Sequence, residues 1–286
     1  MTTIETSLLS GLSHPVLQTD LPALRPTVRQ SVPIRVRAIL PITAALAGAG
    51  AALAVAPGAG TALTASVVGT ALLTAIAANW STCGMSVAGV VAAPKQPDRA
   101  GGSTPVRRLG WHALGSVLTG APTGAAIGAI GMALSAVIAP GWALVVWALV
   151  AVLYGLHELG ALRMPTPMRR RQLPRHLRRT MAPRAVSFLY GAIIGPGFLI
   201  FIRSSAYYLL VAGVILAGSP LLGATLFTVV SLGRCLPSVA AILHTRAGGT
   251  MPGFLSAMCL VDRRVQAITG AGLIGLAAFA LVALIS

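Results

Sequence analysis

The residues of this chain that can carry chemistry are few: three cysteines, one arginine set deep in an apolar run, and two places where such a run is interrupted. Cys83 lies in Asn79-Trp80-Ser81-Thr82-Cys83-Gly84, a polar patch inside a long apolar stretch. A thiol at a helix break can meet a substrate or partner, whereas the same residue in an unbroken helix is a small buried side chain. Cys235 follows Arg234 in Ser231-Leu232-Gly233-Arg234-Cys235-Leu236-Pro237. An arginine so far inside a span is costly. It either snorkels to an interface, pairs with carbonyls freed by the breaks, or attracts an anionic substrate. The second interruption is Gly195-Pro196-Gly197, where proline removes a backbone donor and glycine loosens the helix. His157 and Glu158 form either an interfacial pair facing a basic loop or a proton relay.

The elements that must position these residues are apolar helices. Hydrophobic residues make up 56% of the chain and charged ones 9%, and the mean hydropathy is +0.84, whereas soluble domains carry about a quarter charged residues. A run of roughly 20 apolar residues crosses a bilayer as a helix, so the fold class expected is an all-α, polytopic membrane protein. Eight candidate spans follow, at about 38–56, 62–93, 110–138, 141–161, 185–203, 204–218, 221–243 and 265–286. The run 62–93 would be about 48 Å long as one helix, which predicts a break near Asn79 to Gly84.

Residues 1–34, with Pro15, Pro22, Pro26 and Pro33, read as a disordered cytoplasmic tail, and 35–286 as one transmembrane domain. Repeat one spans about 62–161, a basic loop 162–184 and repeat two about 185–243, with the spans 38–56 and 265–286 as additions. An interrupted span opens each repeat, which gives three-plus-three units of opposite orientation. Interrupted segments at matching positions of two halves point to a transport or transfer site, unless both are packing kinks. Gly120, Gly124 and Gly128, with Gly131 beyond, allow close helix packing.

Arginine counts orient the chain. The tail, the loop holding Lys95, Arg99, Arg107 and Arg108, and the loop from Arg163 to Arg184 are expected to be cytoplasmic. Both termini are then cytoplasmic, in the plasma membrane. Residues 244–264 fall outside despite Arg246, Arg263 and Arg264, and Arg203 falls at an outer end. The basic loop either fixes this topology or binds anionic headgroups.

The net charge of +16 is explained by membrane orientation, so no nucleic-acid partner is expected; the partner is the lipid bilayer. The cysteines are too scattered for a disulfide framework or a CxxC metal site. The chain has no glycine-rich phosphate loop with lysine, no HExxH and no GxSxG. No metal or cofactor is expected, nor a soluble-type enzyme.

A thiol at a break in the first span of an inverted repeat, a glycine-rich next span, a basic loop and a Gly-Pro break opening the second half resemble the CcdA/DsbD-type transmembrane thiol-redox carriers of the LysE-like superfamily. The resemblance covers residues 62–243. It implies electron transfer from a cytoplasmic thioredoxin-like donor to an extracytoplasmic acceptor protein. Cys83 matches the first family cysteine. Gly84 departs from the pattern after it, and Gly195-Pro196 lacks the second cysteine. Either Cys83 pairs with Cys235, or the scaffold serves another purpose. The MauF-type family of methylamine-utilisation clusters is similar in size and class, which implies help in maturing a disulfide-rich periplasmic dehydrogenase. The expected function is therefore thiol-redox transfer or maturation, with Cys83 and Cys235 as working thiols and Asn79, Ser81, Thr82, Gly84, Gly195, Pro196, Gly197 and Arg234 along the path. The alternatives are an exporter of a small solute or ion and a non-catalytic assembly factor.

Overall fold

Apolar composition without β-branched alternation yields helices throughout. The computed structural model describes residues 34–80, 82–93, 103–135, 137–164, 180–197 and 204–286, and among these no strand occurs. The helices are α1 (Ile34–Val55), α2 (Ala59–Ile76), α3 (Thr82–Val91), α4 (Pro105–Ser135), α5 (Pro140–Glu158), α6 (Pro183–Ile194), α7 (Ala206–Ala217), α8 (Pro220–Gly233), α9 (Leu236–Arg246) and α10 (Met251–Ile285). The tail, Lys95, Arg99, the arginines from Arg169 to Arg179, and Arg203 lie outside the described residues.

Among the described residues, five helices are long and apolar enough to cross a membrane: α2, α4, α5, α10, and α8 with α9 taken as one stretch, Pro220–Arg246. Eight spans are therefore not what the helix lengths give. The expected spans 185–203 and 204–218 are realised as α6 and α7, of 12 residues each, about 18 Å apiece and too short to cross ~30 Å alone. They also run the same way. A Cβ at Gly115 would strike the Phe188 carbonyl and one at Gly195 the Ser116 carbonyl, so α6 is parallel to α4; Gly131 meets Ile215 and Gly218 meets Ser135, so α7 is too.

The expected loop 244–264 is largely helix. α10 begins at Met251 and runs unbroken for 35 residues, carrying Arg263 and Arg264 on its first half, with Asp262 buried. Its direction is set by close approaches of small residues. Gly69 meets Leu276 and Gly272 meets Leu73, which makes α10 antiparallel to α2. Gly155 meets Ile274 and Gly141 meets Leu284, which makes it antiparallel to α5. Gly275 docks on Ala44, and one turn further along Gly48 faces Phe279, so α1 and α10 are parallel. Residues 244–264 thus share the end of the bundle where α1 and α4 start, and Ser286 sits at the other end from Ile34. The two described ends of the chain are apart because α6 and α7 run in the same direction, whereas the eight-span order has them reverse.

The core lies between α2, α5, α7, α8 and α10, around fully buried Trp147, Tyr207, Phe227, Leu144 and Leu210. A smaller cluster at the arginine-rich end joins Ala88, Ala92, Ala241, Ile242, Phe254 and Met258 from α3, α9 and α10.

Candidate functional site

α4 is the spine of the site. Its glycine row does what the spacing predicts: Gly124 meets the Gly223 carbonyl, Gly128 that of Ser219, and Gly120 the Ser231 hydroxyl, so α8 lies backbone to backbone against α4. Ser231 Oγ donates to the Ser116 carbonyl at 3.2 Å, and Ser116 Oγ donates to that of Gly191 at 3.2 Å, tying α8, α4 and α6 together.

The three interruptions meet along this spine. α2 ends at Ile76, a short 3-10 turn covers Ala78–Trp80, and α3 restarts at Thr82, so the predicted break is present. Asn79 Nδ2 turns back to the Ala75 carbonyl at 3.0 Å. Ser81 and the side chains of Thr82 and Cys83 lie outside the described residues. Gly84 is buried, and a Cβ there would run into the Asn79 carbonyl and the Pro237 ring. The first break is therefore pressed against a third one that sequence periodicity did not predict: α8 stops at Gly233, Arg234 and Cys235 form a turn, and α9 begins at Leu236. Gly233 in turn abuts Ala75 of α2.

The second interruption ends α6. Gly195, Pro196 and Gly197 are buried, and Gly197 takes φ 82 with the Tyr207 ring occupying the place of a side chain. Only glycine fits both conditions. Arg234 reaches into this break: Nη1 donates to the Ile194 carbonyl and, at 3.2 Å, to that of Gly195. Its guanidinium lies 5.4 Å from the Tyr207 ring centroid. Tyr207 OH donates to the Pro196 carbonyl, and its ring meets Phe227 edge-on at 5.8 Å. Of the readings left open for Arg234, the one in which it serves freed carbonyls is the geometry found.

Cys235 is a buried free thiol whose Sγ lies 4.0 Å from the Ser231 carbonyl. Cys259 is exposed on α10, 3.5 Å from Met85 Sδ. His157 and Glu158 have separate hydrogen-bond partners. His157 Nδ1 accepts from the Met164 amide at 3.0 Å, while Glu158 Oε1 accepts from the Ser205 amide at 2.6 Å and hydroxyl at 2.7 Å, at the start of α7.

Sequence reasoning missed His112 and Tyr207. His112 is 0% exposed on α4. A histidine inside an apolar, glycine-rich run was the available signal.

No family model matches the chain, and no solved structure does. Curated relatives do. A Paracoccus denitrificans protein, "Methylamine utilization protein MauF", is 30% identical over 216 residues, covering 73% of this chain and 75% of that protein. The chain belongs to the MauF family. Proteins of the same name from Methylophilus methylotrophus and Methylobacillus flagellatus are 29% identical over 185 residues and 28% over 211. The match covers 65% of the length of the Methylophilus MauF and 72% of the Methylobacillus one. In this MauF-family chain the polar centre is thus the junction of three helix breaks, with Arg234 joining two of them. Groups of three or more His, Cys, Asp or Glu able to hold a metal are absent among the described residues.

Proposed function

We propose that this MauF-family chain is a membrane accessory protein of methylamine utilisation that assists maturation of an extracytoplasmic protein by passing thiol reducing equivalents through the bundle. The observation that carries the reading is the seating of Gly84 against Pro237. It brings the backbone breaks that hold Cys83 and Cys235 into contact, which supports Cys235 as the partner thiol in place of the one missing at Gly195-Pro196. In each cycle a cytoplasmic thioredoxin-like dithiol reduces the Cys83–Cys235 disulfide and leaves as a disulfide. The reduced pair then gives two electrons and two protons to a disulfide of the acceptor, re-forming its own.

Charge supports a revised topology. Apart from Arg234, the arginines of the described segments flank one end of the bundle: Arg107 and Arg108 at the start of α4, Arg163 after α5, Arg184 on α6, Arg246, Arg263 and Arg264. That end is cytoplasmic by the positive-inside rule. The chain then makes seven passages of the plasma membrane: α1, α2–α3, α4, α5, α6–α7, α8–α9 and α10. The second unit of the inverted pair extends to α10 instead of stopping at 243, and each unit opens on a broken passage. The arginines that misfit an eight-span order, Arg246, Arg263 and Arg264, fall into place.

Alkylation mass-shift of membranes tests the thiol step. A reversible disulfide lost in both Cys83→Ser and Cys235→Ser is expected; a Cys83 that stays reduced and unreactive under mild oxidant removes the reading. The position of Arg234 in the α6 break favours one second reading, a path for a small solute. In that case Cys83→Ser is tolerated and Arg234→Gln is not, in a growth assay on methylamine.

A further inference from the structure

Two carboxylates occur among the described residues, Glu158 and Asp262. Glu158 holds the start of α7, the helix that follows the second break. The thiol step makes no use of Asp262, which is 7% exposed although Arg264 on the same helix is exposed. A carboxylate taken so far out of water needs donors.

Register places Asp262 in the bundle. α10 runs antiparallel to α2, with Leu276 at Gly69 and Gly272 at Leu73. The pairing continues past the first break, where Cys259 Sγ lies 3.5 Å from Met85 Sδ of α3. Three residues further along α10 is Asp262, and three residues back along α3 is Thr82, the first residue of that helix. The face agrees with the level. Phe254 and Met258 of α10 pack with Ala88 and Ala92 of α3, and Asp262 follows Met258 by one turn on the same buried stripe. A buried carboxylate therefore stands level with the first turn of α3, the turn that contains Cys83. Amides in such a turn lack intrahelical acceptors, and an acid there accepts from them and meets the positive end of the helix dipole. We infer that Asp262 caps α3 from α10, as Glu158 caps α7 from α5, and is thereby a positioning residue for Cys83. The positioning role rests on the thiol-transfer reading, whereas the cap stands without it.

Two measurements on the full-length protein in lipid nanodiscs test it: amide exchange by mass spectrometry, and maleimide alkylation of Cys83 in a chain whose other cysteines are changed to serine. Asp262→Ala is expected to speed both amide exchange in the first turn of α3 and alkylation of Cys83 by about fivefold, the loss of one cap, with exchange in α9 unchanged. Asp262→Asn, which keeps an acceptor oxygen, is expected to restore both rates. Where Asp262→Ala does not fold, Asp262→Leu takes its place. Exchange in α3 that matches wild type when the carboxylate is removed, or an Asp262→Asn that behaves like Asp262→Ala, overturns the cap. Faster exchange in α3 together with a wild type that forms no Cys83–Cys235 disulfide keeps the cap and removes its part in thiol transfer.

Discussion

Arg234 and Tyr207 fill the gap left where α6 stops, each by donating to a carbonyl that has lost its helical partner. Removing one such donor strands a buried acceptor, at a cost of about 1–3 kcal/mol. Tyr207→Phe is accordingly expected to lower unfolding stability in detergent by about 1 kcal/mol. Arg234→Leu costs more, since two carbonyls lose their donor. Thermal melts of the two variants check the order, and equal stability of both with wild type would refute these roles. The glycine row makes a sharper contrast. Gly124→Leu must push α4 off the Gly223 carbonyl, a loss of about 1–3 kcal/mol or more, read as a lower melting midpoint. Gly89 has open space where a Cβ would go, so Gly89→Ala is expected to melt at or slightly above wild type. The residue pattern foretold the row, because four-residue spacing of small side chains needs no partner to be recognised. It did not foretell His112, whose meaning depends on what surrounds it.

Helix ends were legible where local chemistry marks them. Pro140, Pro183 and Pro220 open α5, α6 and α8 at the first turn, as proline's fixed φ favours. Ser219 and Thr250 accept from the Leu222 and Gly253 amides at 3.3 and 3.2 Å. The start of α7 is different, since its cap comes from another helix: Glu158 of α5 holds both the amide and the hydroxyl of Ser205. Glu158→Ala is expected to fray α7 and cost about 1 kcal/mol. Faster amide exchange at the start of α7, with α8 unchanged, is the signature by mass spectrometry. A relay role predicts instead that Glu158→Gln, which keeps an acceptor, abolishes activity without touching exchange. α10 was misjudged because Asp262, Arg263 and Arg264 end a hydropathy window without ending a helix: charge bars a segment from lipid, but the backbone continues its hydrogen bonds regardless.

Across the whole molecule, the direction of α10 decides the topology. It is antiparallel to α2 and α5 and parallel to α1, so the start and the end of the described chain lie at opposite ends of the bundle. With the arginine-rich end cytoplasmic, a C-terminal alkaline phosphatase fusion at Ser286 is expected to be active and a fluorescent-protein fusion dark. The reverse result would restore an even number of passages. Gly48→Leu tests the same packing, because it must displace α1 from Gly275 while leaving the α4–α8 interface intact.

From composition and run length alone the chain had to be a helical membrane protein, because no other structure satisfies its backbone in so apolar an environment. The breaks at Asn79 to Gly84 and at Gly195 to Gly197 were equally readable, since polar residues and proline interrupt a helix locally. Only tertiary structure decided that α6 and α7 run the same way, that Gly233 ends a helix, and that Arg234 turns into the neighbouring break. The reason is physical: a helix end is written in a few adjacent residues, whereas direction and partnership are set by which small residues let distant backbones touch.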